Sequence, residues 1–126
     1  MWSSGVVGRF YWYSWDSSAL GTLWSSTSGI QPAGTAYGRL ATWLIGSVHP
    51  ANPCSRASDS TWTCTLTLSS GYPAEIIWNP GTSKTITVSS AYATYETLAN
   101  ANVSSISAHQ VAIGPEPIMI IGSQAN

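Results

Sequence analysis

From Thr61 to Leu68 the chain alternates without a break. Trp62, Cys64, Leu66 and Leu68 fall on one side, and Thr61, Thr63, Thr65 and Thr67 on the other. A period of two is the repeat of a strand, whose successive side chains leave opposite faces of a sheet. The segment therefore predicts a half-buried antiparallel strand, with a core against one face and hydroxyls on the other. Ser70-Gly71-Tyr72-Pro73 turns the chain, and Ala74 to Trp78 reads as the next strand. Asn79-Pro80-Gly81 is a second turn. Thr85 to Val88, Tyr92 to Leu98, and the pair Val111 to Ile113 and Ile118 to Ile121 around Gly114-Pro115 supply further strands. Residues 99 to 109 read as a polar loop. Short strands at regular spacing predict a small antiparallel β-sandwich.

The N-terminal part reads differently. Val6 to Trp15 is β-branched or aromatic almost throughout, with both faces apolar, as in a strand buried on both sides. Asp16-Ser17-Ser18 ends it, and residues 17 to 31 read as a loop carrying Leu20, Leu23 and Trp24. Pro32 suits a first helical position. Tyr37, Leu40, Ala41, Leu44 and Ile45 then recur at helical spacing, and Gly46 is a natural stop. The composition shifts near residue 48, at His49-Pro50-Ala51-Asn52-Pro53. The expected fold is mainly β: a small antiparallel sandwich with one N-terminal strand and one α-helix. Its parts are a strand-loop-helix unit over 1–48 and the sandwich over 49–126, with no internal repeat.

Charge narrows the function. Only 7% of the 126 residues are charged, against roughly 25% in an average soluble protein. Four Lys and Arg do not build the basic footprint that nucleic acid requires. No run of 18 apolar residues exists, so no membrane-spanning helix is expected. The polar surface must come from Ser, Thr, Asn and Gly. Cys54 and Cys64 stand ten positions apart, flanking an exposed hairpin loop, Ser55 to Ser60. A bridge there would close a short loop worth about 2–3 kcal/mol; the rival reading is two free buried thiols. The disulfide reading goes with an extracellular, secreted protein. Met1 to Gly5 has neither the basic nor the apolar region of a signal peptide. Asn102-Val103-Ser104 matches the N-glycosylation acceptor pattern.

Several stretches carry a family resemblance. They are Arg9-Phe10-Tyr11-Trp12-Tyr13-Ser14-Trp15-Asp16, Gly21-Thr22-Leu23-Trp24, Pro32-Ala33-Gly34-Thr35-Ala36-Tyr37 and Trp43-Leu44-Ile45-Gly46. In order, they resemble the last strand and helix of the (β/α)8 barrel of clan A glycoside hydrolases, the family 39-type and cellulase-like enzymes above all. Trp62-Thr63-Cys64, Pro73 to Asn79 and Val111 to Ile118 resemble the C-terminal β-sandwich attached to such barrels. The resemblance implies a C-terminal part of such an enzyme. The two catalytic glutamates of the clan, on the fourth and seventh barrel strands, would fall outside this sequence. Asp16 would correspond to the tip of the last barrel strand, where ligand contacts gather.

The residues themselves favour carbohydrate binding over catalysis. The flat apolar faces of sugar rings stack on Trp and Tyr, and their hydroxyls take neutral partners. Trp12, Trp15, Trp24 and Trp78 are the stacking candidates, with Asp16 and Asn79 as hydrogen-bond partners. The competing reading of the aromatics is ordinary core, to which Trp43 and Trp62 are assigned. The expected ligand is a neutral plant-type polysaccharide, cellulose-like β-glucan or hemicellulose. The alternatives are a very small glycoside hydrolase using Glu75 and Glu96, or an inert domain bracing a barrel. A hydrolase needs two carboxyls about 5–5.5 Å apart to retain configuration, or about 6.5–9.5 Å to invert it. The competing reading of Glu75 and Glu96 is two solvent-facing strand residues. His49 and His109 lack a neighbouring acid in sequence, no Gly-x-Ser-x-Gly elbow occurs, and the His and Cys spacing matches no zinc pattern. No cofactor or metal is implied. Self-association through the apolar Val6 to Trp15 strand is expected.

Overall fold

A computed structural model describes residues 22–123. The strand predicted over 6–15 lies outside the described residues. So do Trp12, Trp15, Asp16 and the self-association assigned to that strand.

The fold is mainly β. The described residues form ten strands and one helix. They run β1 (Trp24–Ser25), β2 (Gly29–Ile30), α1 (Pro32–Leu44), β3 (Cys54–Arg56), β4 (Trp62–Thr67), β5 (Pro73–Trp78), β6 (Lys84–Thr87), β7 (Tyr92–Thr97), β8 (Val103–Ser105), β9 (Gln110–Ile113) and β10 (Ile118–Gly122). Six of them make one sheet in the order β3-β4-β5-β10-β7-β8; β6 and β9 make a second, and β1 and β2 a small hairpin. Neighbouring strands pair antiparallel throughout.

The six-stranded sheet is covered on both faces. On one face lies α1, whose Trp43 is 2% exposed among Cys64, Leu66, Ala74, Ile76 and Met119, with Leu40 and Leu44 beside it. On the other lies the β6–β9 pair, whose Val111 and Ile113 meet Ile77, Ile118 and Ile120. The alternation in β4 arises from the first of these layers. Cys64 and Leu66 point at the helix, and Thr65 and Thr67 are exposed. The central strands β5 and β10 are covered on both faces, so β10 reads as an unbroken apolar run and β5 as one interrupted only by the half-buried Glu75.

The helix begins at Pro32, where a missing N–H costs nothing, and breaks at Gly46, whose φ of +74° disfavours a side chain. Gly34 sits against the Leu23 carbonyl so closely that a Cβ would lie 2.1 Å from its oxygen. That approach packs the start of the helix onto the β1–β2 hairpin. The shift in composition near residue 48 is crossed by this packing, because α1 shares a core with the sheet and Val48 bridges to Thr67.

Three short pairings went unread in the sequence. The segment 17–31 contains the β1–β2 hairpin, the polar stretch 99–109 contains β8, and β3 lies within the predicted hairpin loop after Cys54. Cys54 and Cys64 form a disulfide and stand directly opposite one another, so the bridge fastens the edge strand β3 to β4.

Candidate functional site

One end of the sandwich gathers the aromatic and polar groups of interest. The β4–β5 register places Trp62 opposite Trp78, and the β3–β4 register places Arg56 opposite Trp62. The three residues form a row across adjacent strands, on the same face as α1 but at its margin. The indole rings of Trp62 and Trp78 are stacked, with centroids 5.8 Å apart and planes 5° from parallel. At 5.8 Å the two rings are not in close face-to-face contact, and the pair makes a parallel aromatic platform. Both residues are half-buried. The core assignment of Trp62 is corrected accordingly: it is half-buried at the end of β4 and does not join the cluster around Trp43, against which Trp78 packs.

Behind the platform stands Asn79. It is 1% exposed, and its side-chain amide is fully engaged. Nδ2 donates to the Asp59 carbonyl at 2.9 Å and to Thr61 Oγ1 at 3.2 Å, and Oδ1 accepts from the Gly81 and Thr82 amides at 3.0 and 3.1 Å. Its backbone N–H donates to the Gly114 carbonyl at 2.8 Å. The amide thus ties the β3–β4 turn to the β5–β6 turn. The expectation that Asn79 meets a ligand is corrected: it has no donor or acceptor to spare, and it positions the adjacent Trp78 instead. Lys84 reinforces the same junction by pairing with Asp59. That ammonium, with the Thr61 N–H and hydroxyl, holds the Asp59 carboxyl well below the usual carboxylate range. Arg56 Nη2 donates to Ser60 Oγ at 2.7 Å across the turn.

Trp24 lies elsewhere. It is 45% exposed on the β1–β2 hairpin, opposite Ile30, which is 63% exposed.

Glu75 and Glu96 do not form a catalytic pair. The strand β10 runs between theirs, with Ile120 opposite Glu75 and Met119 opposite Glu96. Consecutive residues of one strand face opposite ways, so the two carboxylates leave opposite faces of the sheet. Glu96 Oε2 lies under the helix, where it accepts from Arg39 Nη2 and, at 3.0 Å, from Trp43 Nε1. A cavity of about 250 Å³ opens beside this cluster, lined also by Leu68, Ser69 and Met119. Glu75 faces the β6–β9 layer beside Tyr92. Burial, then the hydrogen bond and charge of Glu75, push that phenol up to about 12. Among the described residues no three His, Cys, Asp or Glu side chains gather where they could hold a metal ion.

No protein-family model matches the chain, and no curated protein or solved structure matches it either.

The sequence reading missed two members of the row, Arg56 and Trp62. A signal for the aromatic pair was present. In an antiparallel hairpin the residue numbers of opposite partners share one sum, so alternation through Cys64 and Ile76 carries Trp62 onto Trp78. Arg56 depends on an edge strand whose sequence, Cys-Ser-Arg, has no apolar period.

Proposed function

We propose that this domain is a non-catalytic carbohydrate-binding module and that the stacked Trp62–Trp78 pair is its platform. The observation that carries the reading is that pair: two parallel indoles on adjacent strands, each half-buried and so partly open to solvent. A pyranose presents an apolar C–H face to such a surface and its hydroxyls to neutral groups. The low charge of the chain fits a neutral polysaccharide, β-glucan or hemicellulose, as ligand. The resemblance to the C-terminal part of clan A glycoside hydrolases points the same way. The disulfide and the lack of any described helix long and apolar enough to cross a membrane are compatible with an extracellular site of action.

Catalysis is the weaker reading, because Glu75 and Glu96 diverge and Glu96 is paired with Arg39. A structural brace is the competing role. Ile45 and Val48, 74% and 70% exposed just after α1, offer an apolar contact for a larger body.

Affinity electrophoresis through gels containing soluble β-glucan, xyloglucan, xylan or mannan tests the proposal. Retardation by one of them is expected. Trp62→Ala and Trp78→Ala should abolish it, and Trp78→Phe, which keeps an apolar ring, should retain part. Equal mobility of the intact protein in every gel would reject the proposal and leave the brace role in front.

A further inference from the structure

Arg56 stands out among the cations. Arg39 is paired with Glu96 and Lys84 with Asp59, whereas Arg56 has no carboxylate partner among the described residues. It is exposed, and its guanidinium donates a hydrogen bond to the Ser60 hydroxyl. Yet its place is well defined. The Cys54–Cys64 bridge fastens β3 two residues before it, and the register sets it opposite Trp62. Among the described residues this leaves Arg56 as a cation without an acid partner, placed by its strand beside the indole pair.

We infer that the Arg56–Trp62–Trp78 row takes a glycan bearing a carboxylate, with a neutral ring on the indoles and a uronate group at Arg56. The inference rests on the carbohydrate-binding reading above and adds the class of decoration. Adjacent strands lie ~4.8 Å apart, close to the length of one pyranose ring, so Arg56 and Trp78 are separated by about two such steps. A sugar on Trp78 therefore places its neighbour or its branch within reach of Arg56. The guanidinium keeps donors besides the one given to Ser60, and its planar fork suits a carboxylate better than a lone hydroxyl. The hydrogen bond to Ser60 restrains the side chain before the ligand arrives. Asp59, the nearest acid in the turn, is occupied by Lys84 and does not compete for Arg56. With a formal net charge of -1 the whole chain does not attract polyanions at long range, so the preference must be local to this contact.

The test compares glucuronoxylan with the same polymer after its carboxyl groups have been reduced to alcohols. The two share a backbone and differ only at the decoration. The intact protein should bind glucuronoxylan roughly tenfold more tightly, as one charge-assisted contact allows. Arg56→Gln should erase the difference and keep the residual binding of the reduced polymer, and Arg56→Lys should keep part of it. A thermal melt of each variant, expected to match the parent because Arg56 is exposed, confirms that the fold is intact. Polygalacturonate, run in parallel, separates a uronate branch from a uronate backbone; the row as drawn favours the branch. Equal affinity for native and reduced glucuronoxylan would overturn the inference and leave the carbohydrate-binding reading standing. Binding of dextran sulfate as tight as that of glucuronoxylan would also overturn it, since any anion would then serve. Failure to bind either xylan, with no retardation by β-glucan, xyloglucan or mannan, would overturn both.

Discussion

Replacing Asn79 by alanine should loosen the end of the sandwich that carries the aromatic pair. The amide makes four side-chain hydrogen bonds, to Asp59, Thr61, Gly81 and Thr82. At a net worth of about 0.5–1.5 kcal/mol each, they would total about 2–6 kcal/mol. Asp59, Gly81 and Thr82 are exposed, and water will take over part of what the amide supplied. The expected loss is therefore near the lower end, about 2–3 kcal/mol, or a fall in Tm of about 10 °C for a domain of this size. Thermal unfolding followed by circular dichroism measures it. The near-ultraviolet band of the same protein reports the packing of its tryptophans and should weaken in Asn79→Ala. Asn79→Asp should be destabilising too, because it keeps the acceptor for Gly81 and Thr82 but sets a carboxylate against the Asp59 carbonyl. A variant Asn79→Ala that melts within ~0.5 kcal/mol of the parent, the range of ordinary surface substitutions, would refute the reasoning.

Three further outcomes are expected. Reducing the Cys54–Cys64 bridge, or replacing both cysteines by alanine, should cost about 2–3 kcal/mol, read as a lower Tm with reductant than without. Glu96→Gln leaves Arg39 under the helix without its counter-charge, at side-chain exposures of 19% and 15% for the pair, and should destabilise by about 1–3 kcal/mol in denaturant titration; Lys84→Ala, at an exposed pair, should cost less. Tyr92 keeps its proton in the fold up to about 12 against an ordinary 10.0, so its contribution to stability is complete below pH 10 and is lost as the pH rises from 10 to 12. Melts across that window should show the loss, and Tyr92→Phe should reduce it.

Much of the sheet was legible because its strands meet two different environments. β4 has the helix on one side and water on the other, so its alternation stands out. β5 and β10 have a layer on each side, so they read as apolar runs bounded by turns, interrupted in β5 by Glu75 alone. The edge strand β3 left no such trace, since Cys-Ser-Arg is held by a disulfide and a turn rather than by burial. The turn at Asn79-Pro80-Gly81 was visible, but not the use of its amide, whose partners lie 18 and 20 residues earlier in the chain. The relation between Glu75 and Glu96 was hidden for a similar reason. Both lie in strands that could be read locally, but the strand between them comes last in sequence, and its register sends them to opposite faces.

Ligand contact at Trp62 and Trp78 is the central claim for this domain. The most direct measurement is the indole N–H region of a nuclear magnetic resonance spectrum, recorded during titration with the oligosaccharides of whichever glycan retards the protein. The account predicts that the Trp62 and Trp78 resonances shift together and saturably, while Trp43, buried and bonded to Glu96, stays in place. Shifts confined to Trp24, or none at the stacked pair, would contradict it.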